Sequence, residues 1–287
     1  MGRDNSVLSR DPSVVQTVFR NWGIRMRHAF LIIAHDNFEQ LKLLIQLLEA
    51  ENHDIYVHID KRNPSFVEED FKHLTEKSNV HFYQEYKVFW GSFSLVQVEL
   101  FLFEKAHPQK YDYYHLLSGM DLPLKSNTQI DNFFERHQGK EFIAYSNRDV
   151  KNDREIARRT KYYRFLQNHR YRYSQNWKNQ FFTFWERVSI VLQAVCHINR
   201  VKDLDWTIKY GSQWVSITHE LVGELLNNKE KITKVFSFTN CSDELFIQTI
   251  AFNCGFKDRL YHPDKDLAAN LRYIDWSRSK DNHPYNF

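Results

Sequence analysis

Most of the chain alternates continuous apolar runs with stretches in which apolar residues recur at helical spacing. The run His28–His35, HAFLIIAH, is rich in β-branched residues and predicts a strand buried on both faces. Residues 36–51, DNFEQLKLLIQLLEAE, then predict a helix, with apolar residues at helical spacing and Asn37 as a favourable N-cap residue. Residues 54–60, DIYVHID, predict a second strand. The resulting β-α-β unit would place the polar ends of both strands on one edge of a parallel sheet.

The same alternation predicts further strands and helices along the chain. Strands are expected at 79–85, 111–119, 141–146, 211–218 and 272–276, and helices at 92–108, 126–137, 219–227 and 242–255. Residues 147–210 are rich in arginine, tyrosine, asparagine and tryptophan and predict helices joined by long loops. Ser242 is expected to cap the last helix, which would place Glu244 in its first turn, where the helix dipole favours an anion.

The domain organisation follows from where this pattern begins. Residues 1–25 have no clear period and are expected to be an N-terminal extension outside the core. Residues 26–287 are predicted to form one α/β domain with a Rossmann-like, mostly parallel sheet flanked by helices. Within it, 26–146 is expected to be a nucleotide-binding half, and the less regular 147–287 an acceptor-shaping half.

Composition narrows the function classes and the expected location. The 287 residues include 39 basic and 36 acidic side chains, a balance too even to predict nucleic-acid binding. Three cysteines without a CxxC spacing argue against a disulfide framework and a cysteine zinc site. No apolar run reaches the roughly eighteen residues of a membrane span. A cytoplasmic location is expected, compatible with peripheral contact at the inner face of a membrane.

Common catalytic motifs are missing, and two DxD patterns are weak candidates for a metal site. The chain has no GxxxxGK[ST], GxGxxG, HExxH or GxSxG motif. Asp203 and Asp205, and likewise Asp264 and Asp266, could hold a divalent cation against a diphosphate. Both pairs lie in charged, surface-like sequence, which favours solvated loops over metal ligands. A metal-dependent reaction through Asp203 and Asp205 stays open as an alternative.

Three places carry carboxylates where ligands could bind. In Leu116–Ser126, LLSGMDLPLKS, Gly119 and Asp121 follow an apolar strand, the position outside which α/β proteins bind ligands. Asp60 ends the second strand, where a carboxylate can bind ribose hydroxyls or a base N–H, or simply form a turn. For Glu244, helix capping is the simpler interpretation from the pattern alone.

Six segments, taken in order, resemble one enzyme family. LLSGMDLPLKS is similar to the LSGxDxP signature of glycosyltransferase family 14, the core-2/I-branching enzymes and peptide O-xylosyltransferases. Five further segments resemble the same family: IIAHDNFEQLKLLIQLL with IYVHIDKR, VFWGSFSLVQVEL, GSQWVSIT, SDELFIQT, and RYIDW with the following HP. The resemblance covers the chain from about Met26 to its end. It implies a GT-A-type fold and an inverting, UDP-sugar-dependent transferase.

The resemblance also implies roles for individual residues. Glu244 matches the catalytic base, which takes the proton from the acceptor hydroxyl. Positions that match the donor site are Ile33, His35, Asp60, Trp90, Gly119, Asp121 and Ser212. Trp214 and Trp276 match aromatic positions of the acceptor site, and Trp90 stands where the family often has tyrosine. Ser242 replaces a proline that often precedes Asp-Glu in the family.

The diphosphate site is where the sequence departs from the family. Branching-enzyme members lack a functional DxD and hold the diphosphate with basic side chains near the C-terminus, so no metal or other cofactor is expected. The chain ends at DNHPYNF, just before the family's basic segment, and is expected to be truncated there or to use another cation. Arg272, Arg278 and Lys280 are the nearby candidates.

The expected activity is transfer of GlcNAc or xylose from a UDP-sugar to a glycan, lipid-linked or peptide acceptor, in surface polysaccharide or glycan synthesis. Animal family members are single-span Golgi proteins with several disulfides, so the chain looks like a bacterial-type soluble member. Arg148, Arg154, Arg158, Arg159 and Lys161 form a basic cluster that could meet an anionic acceptor or be a solvated helix face. The alternative function is a non-catalytic sugar- or nucleotide-binding protein on the same fold.

Overall fold

A computed structural model of the chain describes residues 25–149, 153–169, 176–263, 269–275 and 278, and these form a central sheet flanked by helices. The strands are β1 His28–Ala34, β2 His53–Ile59, β3 Val80–Tyr83, β4 Tyr113–Ser118, β5 Phe142–Asp149 and β6 Lys209–Thr218. The α-helices are α1 Phe38–Leu48, α2 Ser94–Ala106, α3 Asn127–Arg136, α4 Arg154–Thr160, α5 Trp177–Val195, α6 His219–Asn227, α7 Lys229–Phe236 and α8 Phe246–Asn253.

The sheet has the strand order β3-β2-β1-β4-β6-β5. Strands β3, β2, β1 and β4 run parallel, whereas β6 runs antiparallel to both β4 and β5. The predicted α/β class and mostly parallel sheet are therefore confirmed. Because β6 is reversed, its amino end lies at the same edge as the carboxyl ends of the other strands.

Alternate residues of the central strands supply the two larger apolar clusters of the described residues, one on each face of the sheet. One face packs on α1 through Leu41, Leu44 and Ile45, all fully buried. The other packs on α2, α6 and α8 and forms the larger core. The helix boundaries follow local chemistry, since Asn37 accepts a hydrogen bond from Gln40 N and Ser126 forms a capping box with Gln129.

Two predicted elements were wrong. The expected helix over 242–255 is broken at Leu245: Ser242–Glu244 form a 3-10 turn, and α8 starts only at Phe246. Ser242 is therefore not an N-cap, and its buried Oγ has no hydrogen-bond partner among the described residues. The strand expected at 272–276 does not form over 272–275, and residue 276 lies outside the described part of the chain.

Candidate active site

The predicted donor residues collect at the edge where the parallel strands end. His35 follows β1, Asp60 follows β2, and Gly119 follows β4. The amide of Gly119 donates to Ile33 O at 2.9 Å, continuing the β1–β4 ladder past Ser118. A Cβ at position 119 would lie 2.7 Å from the Cβ of Ala34, so a side chain there would force the two strands apart. The glycine is thus explained by strand packing.

Asp121 folds back onto the end of β4. Its Oδ2 accepts a hydrogen bond from Ser118 N at 2.9 Å, and its own amide donates to Ser118 O at 3.0 Å. Burial raises the pKa of the Asp121 carboxyl, and the Ser118 amide and the charge of Arg272 oppose that rise only partly. Asp121 therefore fixes the shape of the loop after β4.

Asp60 is held by Arg62, a residue that the sequence analysis did not single out. The Asp60 carboxylate is buried and accepts from the Arg62 backbone amide at 2.9 Å and from Nη2 at 2.6 Å. Burial raises the pKa of Asp60, but the hydrogen bonds and charge of Arg62 outweigh it and the pKa is lowered. In the sequence IDKR, Arg62 lies two positions after Asp60, but the sequence does not show that the two side chains form an ion pair.

The loop 84–93 joins this edge of the sheet to the segment that contains Glu244. Arg62 donates to Val88 O, and its guanidinium lies 4.5 Å from the centre of the Phe89 ring. Farther along, Gly91 O accepts from Cys241 N at 2.8 Å. Trp90 lies between these two anchors, with 55% of its surface exposed. The loop thus carries an indole that is more than half exposed between its contact with Arg62 and its contact with Cys241.

Glu244 is a partly exposed carboxylate paired with Arg159. The Arg159 Nη1 and Glu244 Oε2 atoms are 2.5 Å apart, and the two side chains keep 19% and 31% of their surfaces exposed. The Arg159 guanidinium also lies 5.3 Å from the centre of the Tyr210 ring, just inside β6. These contacts anchor α4 and Glu244 to the same sheet edge.

Two further carboxyl groups lie buried near this pair, Asp243 next to Glu244 and Glu99 near Asp243, and sequence reasoning assigned neither to the site. Asp243 and Glu99 are buried, and Glu99 Oε1 accepts a hydrogen bond from Gln213 Nε2 at 2.7 Å. Burial, and then the charge of Glu244, raise the pKa of Asp243 to about 7. Burial, and then Asp243, raise the pKa of Glu99 well above its usual value. The signal that could have found Glu99 is a carboxylate inside the apolar helical run LVQVELFLF.

The G-S-x-W segment lies in β6. Ser212 Oγ accepts from Trp214 N at 3.2 Å, and Ser212 O accepts from the buried Gln248 Nε2 at 2.7 Å. Trp214 is partly buried against the larger core, and its carbonyl accepts from Asn270 at 3.2 Å. The other predicted acceptor aromatic, Trp276, lies outside the described residues.

The basic residues predicted to bind the diphosphate differ in the hydrogen bonds that they already make within the protein. Beyond His115 and Ser216, β4 and β6 no longer pair, and Arg272 Nη2 fills the gap by donating to Leu116 O at 3.3 Å and Val215 O at 3.1 Å. Burial lowers the pKa of Arg272 to about 10, although Asp121 opposes the shift. The Arg272 guanidinium therefore provides hydrogen bonds to backbone carbonyls of the sheet.

The remaining cation candidates lie at or beyond the end of the described chain. Arg278 is exposed, and its Nε lies 2.5 Å from Asp275 Oδ2. Lys280 lies outside the described residues.

Asp203 and Asp205 do not belong to a group of three or more possible metal ligands among the described residues. Asp205 is exposed and pairs with Lys231 at 2.7 Å, which lowers its pKa. Asp203 is exposed as well. Asp264 and Asp266 lie outside the described residues.

Comparisons with known proteins agree on one family. The model of the core-2/I-branching enzyme family matches residues 28–287. A xylosyltransferase of Caenorhabditis briggsae is 25% identical over 261 residues, covering 85% of this chain but 28% of that protein. Xylosyltransferase 1 of Canis lupus familiaris is 22% identical and covers 96% of this chain and 27% of its own length. The chain thus spans less than a third of the length of these curated relatives.

A solved structure is also similar. Mouse xyloside xylosyltransferase 1, in its apo form, aligns over 78% of this chain and 80% of its own, with 10% identity and a TM-score of 0.33.

Proposed function

The chain belongs to the core-2/I-branching enzyme family, and from this premise we propose that it is a glycosyltransferase that moves a sugar from a UDP-sugar to an acceptor hydroxyl with inversion. The observation that carries the proposal is the partly exposed Glu244 carboxylate, held by Arg159 and tied through Gly91 and Cys241 to the loop that bears Trp90.

Glu244 is proposed as the general base. Its carboxylate takes the proton of the acceptor hydroxyl while that oxygen bonds to the anomeric carbon and the bond from that carbon to UDP breaks. The leaving diphosphate departs with its charge, so a second acid is not needed at that oxygen. The ion pair with Arg159 holds the Glu244 side chain in one orientation, which is the condition for proton transfer at hydrogen-bond distance.

The donor would lie along the sheet edge. Asp60 is proposed to contact the uridine, and Trp90 and Ile33 are proposed to contact the uracil base. The rest of the donor site is proposed to be lined by His35, Gly119, Asp121 and Ser212. Trp90 supports this assignment because an exposed indole gives a face on which a base can stack. The names of the curated relatives favour xylose as the sugar, with GlcNAc as the second candidate.

Binding of UDP without a metal tests the donor site directly. In calorimetric titration of the full chain, we expect UDP to bind in EDTA, and Mn²⁺ to leave the affinity unchanged, because Asp203 and Asp205 do not form a metal cluster with other described residues. Asp60→Asn should weaken binding, whereas Asp258→Asn, on the exposed surface, should not. Binding that requires Mn²⁺ would instead support the alternative through Asp203 and Asp205.

The second candidate function is a sugar- or nucleotide-binding protein without transfer. This candidate is supported by Arg272, the predicted phosphate-binding cation, because its guanidinium already donates to carbonyls of β4 and β6 where the two strands no longer pair. This candidate predicts UDP binding, but no release of UDP from any UDP-sugar in the presence of acceptors.

Helix α5 has an exposed apolar face, which is relevant to the kind of surface at which the acceptor is located. No helix among the described residues is long and apolar enough to cross a membrane. Yet α5 turns a full-length apolar stripe to solvent: Trp177, Phe181, Phe184, Trp185, Val191, Leu192 and Val195. Its two buried residues, Glu186 and Gln193, are polar and accept hydrogen bonds from backbone amides of the loop 163–166. The usual arrangement of a surface helix is thus reversed.

We propose that this stripe lies on an anionic lipid surface and that the acceptor is lipid-linked. The exposed charges of α5 are Lys178 and Arg187, both basic, and its one acidic residue, Glu186, is buried. Aromatic residues beside basic ones are typical of helices that lie in a membrane interface. The loop under α5 also contacts the site, because Gln167 Oε1 accepts from Phe93 N at 3.0 Å, three residues after Trp90.

Vesicle binding tests this surface. The chain is expected to sediment with phosphatidylglycerol-containing vesicles more than with neutral ones, and Phe181→Ser with Trp185→Ser should abolish sedimentation without changing UDP affinity. Val67→Ser, which replaces an exposed apolar residue on another surface, is the matched control. Concentration-dependent self-association that the double variant removes would show instead that a second copy of the chain covers the stripe.

A further inference from the structure

A second polar cluster lies at the opposite edge of the sheet, where the parallel strands begin. His28 opens β1, His53 opens β2 directly beside it, and Asp131 of α3 faces both. The seven-residue β1 separates this cluster from His35 by about 20 Å. His53 Nε2 and His28 Nε2 lie 2.9 Å and 3.5 Å from Asp131 Oδ1, and one nitrogen of each ring and an Asp131 carboxylate oxygen all lie within 4.8 Å of one another.

One ring nitrogen of His53 is fixed as a hydrogen-bond donor by its partner. Its Nδ1 lies 2.8 Å from Leu48 O, and a carbonyl oxygen can only accept, so Nδ1 carries the hydrogen. A neutral His53 therefore points the lone pair of Nε2 at the Asp131 Oδ1 atom, only 2.9 Å away. Two lone pairs at that distance require a positive charge between them, which is either a proton or a metal ion.

His28 distinguishes these two possibilities. Its side chain is fully buried, and its Nε2 has no hydrogen-bond partner among the described residues although Asp131 Oδ1 is 3.5 Å away. A proton would satisfy His53 and Asp131 but leave His28 Nε2 without a partner. A single cation serves all three atoms.

The outer contacts of the three side chains fit a metal site. Histidine ligands normally use their second ring nitrogen for a hydrogen bond that orients the ring. His53 does so through Leu48 O, and His28 through Nδ1, which lies 2.9 Å from His115 Nε2. The second oxygen of Asp131 accepts from Asn52 Nδ2 at 3.1 Å. Asp131 keeps 19% of its side chain exposed, which leaves a route for an ion to enter.

We propose that His28, His53 and Asp131 bind one divalent transition-metal ion, with Zn²⁺ as the reference ion, in a site that stabilises the fold. Two imidazoles and one carboxylate are a ligand set that zinc accepts, with a water in the fourth position. The ion would tie the starts of β1 and β2 to α3. It takes no part in sugar transfer, and the proposal does not depend on the proposed function.

Metal binding by the intact chain tests the proposal. After removal of metals with EDTA and dialysis, one Zn²⁺ per chain is expected to bind at micromolar concentration and to raise Tm. Co²⁺ should give the visible absorption of a four-coordinate ion. Asp131→Asn should weaken Zn²⁺ binding by more than the 10–100-fold typical of losing an outer contact. His81→Gln, which removes an exposed imidazole on β3, should leave it unchanged.

Three results would overturn the site. One is failure of the wild-type chain to bind Zn²⁺ or Co²⁺ at micromolar concentration, which would identify a buried imidazolium–carboxylate pair. A second is binding that persists in both Asp131→Asn and His28→Gln, which would place the ion elsewhere. The third is a cobalt spectrum of an octahedral, aqua-like ion. The wild-type stoichiometry and spectrum decide the question even if the variants do not fold.

Discussion

Glu244→Gln is expected to lower the rate of sugar transfer by about 10²–10⁴-fold, the usual contribution of a general base. Glutamine keeps an oxygen that can accept the Arg159 hydrogen bond, so the orientation of the side chain and the fold should survive. It cannot take a proton from the acceptor. The measurement is UDP release from UDP-xylose and UDP-GlcNAc with acceptor, beside UDP affinity by calorimetry, which should not change.

Glu230→Gln, an exposed glutamate on α7, is the matched control and should keep full turnover. Turnover at the wild-type rate in Glu244→Gln would remove this residue as the base and direct attention to Asp243. The variant has a second expected effect, since the charge of Glu244 helps to raise the pKa of Asp243. Removing that charge should lower the Asp243 pKa, which carboxyl titration by NMR can follow.

Gly211→Ala is expected to destabilise the fold by about 3 kcal/mol, at the upper end for overpacking. The register between β5 and β6 shifts at Ile143/Tyr145, and this irregularity turns Ala144 O toward Gly211. A Cβ at position 211 would lie 1.7 Å from that oxygen, so the backbone of one strand must move. Urea denaturation of the variant and the wild type measures the change.

Gly223→Ala supplies the contrast within the same chain. Gly223 lies inside α6, and a Cβ there would lie 3.4 Å from His107 Nε2, an ordinary contact. Because alanine favours helix over glycine by about 1 kcal/mol, this variant should be as stable as the wild type or more so. Equal losses in both variants would show that the β5–β6 contact is not what makes Gly211 necessary.

The strands and most helices could be predicted because their signals are local. β1 is buried and reads as a nearly unbroken apolar run, β2 is largely buried with Ile55, Tyr56, Val57 and Ile59 as its apolar residues, and the caps at Asn37 and Ser126 need only the following turn. The helix over 242–255 failed for a non-local reason. The preceding Cys241 adopts a left-handed conformation while its amide binds Gly91 O, and the helix can start only after the 3-10 turn that follows.

The candidate site was predictable only in part. The resemblance to the family picked out Asp60 and Glu244, whose roles stay predictions, but the structure shows that each has an arginine partner, Arg62 and Arg159. Arg159 lies 85 positions before Glu244, so no local pattern could reveal the pair. Arg272 shows the same limit, because only the structure reveals that its guanidinium donates to Leu116 O and Val215 O, and its diphosphate role stays a prediction.

The placement of β6 between β4 and β5 sets an order on folding during synthesis. The parallel strands β3, β2, β1 and β4 are all available once Ser118 has left the ribosome, whereas β5 has β6 as its strand partner among the described residues. At 5–20 residues per second, the chain from Asp149 to Lys209 takes roughly 3–12 s to make. During that interval the apolar edges of β4 and β5 are unpaired, and a chaperone that shields them would raise the yield of native protein.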